Sequence, residues 1–366
     1  MKKIFYLPLM FLPLFISECS KNNDTVKPDN TIDFSIRESH SDTAFRVNDV
    51  IQLADSSFIM VGGASIHKGN FQNLVMKYDK NGKRVWISIK SNTDSPKGFS
   101  RVFAVTQNKI SAYRDKGFTY DLAPRIVDYN TNGKYLDQNY VNTYIDMNAV
   151  EYVSGNFFLA GGKNGVVAFQ ELDPNGSSKW LKFYYSGKSM LSLSDLSDTS
   201  FVAIGGGDIS ISTNQLMTLN NKGDTLKTFP YKGFVVKGLQ NGDFLATTGG
   251  TTNVQFRSFD QSGSVKWSSD KGSSGVTNAY PSGCYSILEY DKGYFIFTMI
   301  GNDGNLYCYE YDIAGKLVNT IQINDIGSDT RIAINKTFNN GLIVVKSVSS
   351  TTPGDVEIIK YSDVTP

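Results

Sequence analysis

The stretch Leu74–Ile89, LVMKYDKNGKRVWISI, decides the fold. Leu74–Tyr78 and Arg84–Ile89 are rich in β-branched and aromatic residues and free of proline, which reads as two strands. Between them, Asp79-Lys80-Asn81-Gly82 is a turn cluster whose glycine takes a positive φ without steric cost. The same pattern of an aromatic or leucine, Asp or Asn, two residues and Gly returns at Tyr129…Gly133, Leu172…Gly176, Leu219…Gly223, Phe259…Gly263 and Tyr311…Gly315. Trp86, Trp180 and Trp267, the three tryptophans of the chain, each fall four residues after such a glycine. A phase shared by so many copies marks a structural repeat.

A second signal runs out of step with the first. A small-residue turn precedes an apolar run that often ends in Gly-Gly, as in Ser56–Gly63 and Gly155–Gly162, with further copies from Thr199 and Gly242 and weaker ones from Asn108, Gly293 and Gly341. Turn positions 56, 108, 155, 199, 242, 293 and 341 are spaced by 43 to 52 residues. Seven copies at that period belong to propellers or solenoids. In the first copy the pattern predicts strand A near Val47–Leu53, B at Phe58–Gly62, C at Asn73–Tyr78 and D at Arg84–Lys90. The B segments, such as Phe157-Phe158-Leu159-Ala160, are apolar without alternation and therefore need cover on both faces. Four-stranded sheets stacked around an axis supply it.

The seventh copy has A near Arg331–Phe338, B at Leu342–Lys346 and C at Val356–Tyr361, but the sequence ends at Pro366 without a strand D. At the other end Ile32–Ile36 precedes the first strand A with no partner of its own. Pairing the two ends closes a ring and removes an exposed edge. The expectation is an all-β, seven-bladed β-propeller of four-stranded antiparallel blades over residues 31–366, its last blade completed by the N-terminal strand.

Residues 1–18 read as a signal peptide. Met1-Lys2-Lys3 is basic, and the apolar core Ile4–Ile16 is too short to span a bilayer and is interrupted by Pro8 and Pro13. Ile16-Ser17-Glu18-Cys19 resembles a bacterial lipobox, which implies lipidation of Cys19, although Glu18 replaces the small residue usual before the cysteine; plain secretion is the alternative. The polar stretch 20–30 then reads as a tether. No other run is long and apolar enough to enter a membrane, so the lipid would be the anchor. Lys+Arg of 36 against Asp+Glu of 35 leaves nothing to attract nucleic acid. The 33 Gly, 20 Tyr and 23 Phe suit a turn-rich β protein.

The run Ala54–Ile89 resembles the repeat of secreted bacterial β-propeller proteins, with its D-G-G-φ-φ-φ-φ-G element and later φ-φ-K-φ-D-x-x-G-x-x-x-W. More loosely it is similar to quinoprotein-like and WD40/YVTN-like propellers. The resemblance spans residues 31–366 and implies a fold and an envelope lipoprotein, and little about chemistry.

Candidates for chemistry are few. His40 and His67 are the two histidines, and the three cysteines form no C-x-x-C, so no metal site of N or S ligands is expected. Asp79–Gly82 and Asp173–Gly176 have a calcium-loop look but lack the later ligands, and as hairpin turns they are already explained. Cys284 and Cys308 fall on predicted strands A and C of one blade, too far apart for a disulfide and read as buried thiols. Quinone-dependent dehydrogenases share the repeat pattern, but the resemblance would imply adjacent cysteines and more blades. No pair of carboxylates stands out for glycoside chemistry. No cofactor follows from the sequence.

What remains is a loop surface. The D–A and B–C connections share one rim and carry His67, Phe71, Phe118, Tyr120, Tyr144, Tyr185, Tyr231 and Tyr280. Aromatic residues on loops suit a protein or polysaccharide partner. The long connection Asp270–Gly283 interrupts the repeat on the same side. The reading is a monomeric, non-enzymatic binding or scaffolding lipoprotein of the bacterial cell envelope; the alternative is a carbohydrate-active or redox enzyme with its site over the axis.

Overall fold

The computed structural model of the chain describes residues 32–38, 43–66, 72–90, 98–114, 124–141, 146–163, 166–186, 189–197, 199–206, 215–231, 233–239, 241–248, 254–271, 286–290, 293, 295–300, 303–324, 330–348 and 355–362. Among these residues every regular element longer than a single turn is a strand. The N-terminal strand is β1 (Ile32–Glu38). Blade one is β2 (Thr43–Gln52), β3 (Phe58–Ile66), β4 (Gln72–Tyr78) and β5 (Arg84–Lys90), and blade two is β6 (Arg101–Thr106), β7 (Lys109–Arg114), β8 (Arg125–Asn130) and β9 (Tyr135–Tyr140). Blade three is β10 (Asp146–Val153), β11 (Asn156–Lys163), β12 (Val166–Leu172) and β13 (Ser178–Ser186), and blade four is β14 (Ser189–Ser197), β15 (Ser200–Gly206), β16 (Gln215–Asn220) and β17 (Thr225–Pro230). Blade five is β18 (Gly233–Gly238), β19 (Phe244–Thr248), β20 (Gln255–Phe259) and β21 (Val265–Asp270). Blade six is β22 (Ile287–Glu289), β23 (Phe295–Ile300), β24 (Leu306–Tyr311) and β25 (Leu317–Ile323). Blade seven is β26 (Thr330–Lys336), β27 (Leu342–Val348) and β28 (Val356–Tyr361), with β1 as its outermost strand.

The expected closure is present. β1 pairs antiparallel with β28 from Ile32 opposite Tyr361 to Glu38 opposite Val356. Among the described residues seven buried apolar clusters follow the ring, one at each junction between neighbouring blades. Phe45, Val47, Val50, Phe58 and Met60 of blade one pack on Ala333, Ile343, Val345, Val356 and Ile358 of blade seven. Ile59 and Val61, the alternate residues of β3, pack instead on Val102, Ile110 and Ala112 of blade two. Strand B is thus covered on both faces, which is why its sequence is apolar without alternation.

The repeated turn has a local explanation. The Asp79 carboxylate accepts the amides of Asn81 at 2.9 Å and Lys83 at 2.8 Å, while Gly82, at φ 82°, donates its amide to the Asp79 carbonyl at 3.0 Å. Asp173 and Asn130 repeat the arrangement. These side chains fasten hairpins. One extra residue then bulges strand D between the pairs Tyr78–Arg84 and Lys77–Trp86.

The tryptophans explain why the two repeats are locked in phase. A Cβ on Gly133, the turn glycine of blade two, would come within 2.7 Å of the Trp86 ring of blade one. Gly223 faces Trp180 and Gly315 faces Trp267 in the same way, and Gly263 faces Phe229. Gly133, Gly223, Gly263 and Gly315 are therefore needed twice, for their positive φ and for the aromatic ring that the preceding blade lays over each. At the seam Gly82 faces Phe34 and Ile36, so β1 supplies for blade seven what a tryptophan supplies elsewhere.

Candidate functional site

The inner strands β2, β6, β10, β14, β18, β22 and β26 line the axis, and their axis-facing edge has no neighbouring strand. Side chains of adjacent blades satisfy part of that edge. Asp49 Oδ2 accepts the Val102 amide at 3.0 Å, Ser192 Oγ accepts the Val236 amide at 3.2 Å, and Ser347 Oγ accepts the Val47 amide at 2.9 Å. These bonds hold neighbouring blades at fixed relative heights, which is what lets residues far apart in sequence converge.

Five charged residues from five consecutive blades gather there: Asp49, Arg101, Glu151, Asp195 and Lys237. Arg101 Nη1 lies 3.9 Å from Asp49 Oδ1, and Lys237 Nζ lies 3.5 Å from Asp195 Oδ1. Asp49 is further held by the amides of Val50 and Val102, yet burial still pushes its carboxyl above the usual range. Asp195 also accepts Ser194 Oγ at 3.3 Å. Glu151 is different, because its carboxylate has no hydrogen-bond donor and no ion-pair partner among the described residues. Burial pushes it up to about 7, against the pull of Lys237 and Arg101 and with help from Asp195 and Asp49. The arrangement offers one proton-exchanging carboxyl near neutral pH beside two carboxylates that are already engaged.

Sequence reasoning singled out no carboxylates, and the structure brings three together. The register carried the missed signal. Glu151, Ser194 and Lys237 oppose Phe158, Val202 and Leu245 of their B strands and so occupy one equivalent position, which Ile51 and Phe103 fill in the first two blades. The charges of Glu151 and Lys237, at a repeat position that is apolar in the first two blades, are legible once the copies are aligned.

The rim residues fare differently. His67, Phe71, Phe118, Tyr120, Tyr144 and Tyr280 lie outside the described residues, as do Cys19, His40 and Cys284. Tyr185 belongs to β13 rather than to a loop. Tyr231 is a correction: it is 8% exposed, packs edge-on against Phe259 with ring centroids 5.6 Å apart, and joins the apolar core between blades four and five. Its connection, between β17 and β18, is two residues long and gives the ring no room to leave the blade. Cys308 is a free, buried thiol whose pKa burial pushes up to about 12. Among the described residues no group of three or more His, Cys, Asp and Glu side chains is placed to hold a metal. A cavity of about 170 Å³ between blades five and six is lined by Leu239, Asp243, Lys266, Glu289 and Phe295, with Lys266 bonded to Asp243 at 2.8 Å. It is smaller than the usual small-molecule pocket.

No protein-family profile matches the chain, and no curated protein matches it in sequence. Solved structures do resemble it. Virginiamycin B lyase from Staphylococcus aureus superposes with a TM-score of 0.56 at 8% identity, over 90% of this chain and 99% of that one. U3-55K gives 0.59 at 10% identity over 89% and 98%, and the WD40 domain of Toxoplasma gondii coronin gives 0.54 at 10% identity over 92% and 88%. What this chain shares with the lyase and the WD40 protein, at identities this low, is the propeller fold itself.

Proposed function

We propose that the protein is a non-enzymatic binding or scaffolding module, held in the bacterial cell envelope by a lipid on Cys19, that presents one face of the ring to a protein or glycan. One observation carries this reading. The connections from A to B in every blade, and from C to D in blades one to six, are two to five residues long, whereas those from B to C and from D to A range from two to sixteen. The first face is built from the repeat. The second departs from it blade by blade, and insertions confined to one face of a repeat protein are where partners bind. The enzyme alternative draws on the axial cluster, but glycoside chemistry needs two carboxyl groups in complementary roles, and only Glu151 is unengaged.

The test shortens the sixteen-residue connection 271–286 to a two-residue turn and compares binding on glycan and envelope-protein arrays with the intact chain. An unchanged melting temperature with at least tenfold weaker binding of the captured ligand is expected, since interface anchors commonly carry ~2 kcal/mol or more. Undiminished binding by this variant and by one shortened at 115–124 sinks the proposal. The anchor is tested separately: Cys19→Ala should move the protein from the membrane to the soluble fraction. Wild-type protein recovered wholly in the soluble fraction contradicts the lipid anchor.

A further inference from the structure

A second charged level lies nearer the variable face, at the seam between blades one and seven. Arg46 stands in β2 opposite Gly63, and Arg331 stands in β26 opposite Ser347. Ser347 Oγ accepts the amide of Val47, the residue next to Arg46, at 2.9 Å. That bond ties β2 to β27, the strand paired with β26, and so holds both arginines at one level, near the β2 and β26 ends that lead to the variable connections. Arg46 Nε donates to the Asn48 side-chain oxygen at 3.2 Å, a neutral partner, and its two Nη groups find no acceptor among the described residues. Burial, and then the charge of Arg331, lower its guanidinium to about 10. No described carboxylate lies against Arg46, and the acidic side chains of the channel, Asp49, Glu151 and Asp195, stand closer to the opposite face.

Two like charges held together without a counter-charge on one of them are a cost to the fold, and an intervening anion removes it. Guanidinium groups present donors in a planar fork that matches a carboxylate or phosphate in bidentate geometry. We propose that Arg46 and Arg331 form an oxyanion site at the variable-face mouth of the axial channel, taking a carboxylate or phosphate group of the bound partner. The proposal rests on the reading of the variable face as the binding face and adds the chemistry it would recognise.

Calorimetry on the full purified chain at low salt, with inorganic phosphate in one arm and D-glucuronate in the other, tests it. At least one probe is expected to bind, and Arg46→Gln and Arg331→Gln are each expected to weaken it tenfold or more. Preference for phosphate points to a phosphorylated partner and preference for glucuronate to an acidic glycan. A second readout separates recognition from structure: removing one of two like charges should leave the melting temperature of the ligand-free protein unchanged or higher while binding falls. Binding of neither probe, binding that survives both substitutions, or loss of binding only with loss of folding overturns the site. If the oxyanion site fails while the shortened 271–286 connection still abolishes partner binding, the face stands and this chemistry does not. If phosphate or glucuronate binds as expected while partner binding is indifferent to the shortened connections, the oxyanion site stands and the face does not.

Discussion

Deleting residues 31–38 is expected to lower the unfolding free energy by roughly 3–6 kcal/mol, the scale set by losing the burial of two large apolar side chains at ~1.5–3 kcal/mol each. Those side chains are Phe34, which meets Phe58 edge-on with centroids 6.3 Å apart, and Ile36, which lies over Gly82. β1 also bonds both sides of the seam. Its backbone completes the sheet on β28, Asp33 pairs with Lys360 at 2.7 Å, and Glu38 reaches across to Arg84 of blade one at 2.7 Å. The deletion therefore leaves β28 as an open edge and removes a tie between first and last blades. A melting temperature lower by about 5 °C, with aggregation on heating, is the expected readout. Gly82→Ala attacks the same seam without shortening the chain, because a Cβ there would sit 2.1 Å from the Ile36 side chain at a φ of 82°. Appending residues 32–38 after Tyr361 through a second Asp-Lys-Asn-Gly turn should restore stability to the deleted protein, since β1 and β28 are antiparallel and a hairpin joins them naturally. A truncated chain that melts like the intact one shows that β1 does not close the ring.

The legibility of this molecule divides along the same lines as its physics. Strand pairing, turn chemistry and the seam are local or periodic, and each is written repeatedly: Asp79, Asn130 and Asp173 do the same job in different blades. Even the seventh blade could be assembled from the two ends of the sequence because each fragment kept its place in the period. The axial cluster is written only once. Asp49, Arg101, Glu151, Asp195 and Lys237 are separated by about one repeat each, and none is unusual in its own surroundings. Only the ring brings them together. Tyr231 departs from expectation for a related reason. Its place outside the strands implies exposure, but a two-residue connection holds its side chain against the blade. Connection length, which the repeat boundaries already contained, was the better guide.

Glu151 makes the stability of the ring depend on pH in a direction opposite to that of a salt-bridged acid. In the folded protein its carboxyl is raised from 4.5 to about 7, chiefly by burial. Below pH ~4.5 the group is protonated in both states and burial of the neutral acid costs little. As pH rises toward 7 the unfolded chain releases its proton first, while the native state holds on to it. The native state thus binds more protons across this window, and stability falls with rising pH until the folded carboxyl has itself ionised. The loss amounts to ~3 kcal/mol at about 1.4 kcal/mol for each pKa unit. Asp49, also raised by burial, acts in the same direction, so the contribution of Glu151 is isolated by difference. Urea unfolding of wild type and Glu151→Gln at intervals from pH 5 to pH 8 should give similar stabilities at the acidic end, with the variant ahead by roughly 2–3 kcal/mol at pH 8. Lys237→Met supplies a control of sign. Lys237 is the largest opposing influence on Glu151, so its removal should move the midpoint of the pH dependence upward. Parallel curves for wild type and Glu151→Gln across the whole range would mean that the axial carboxyl is ionised at neutral pH and that the channel is better solvated than its packing implies.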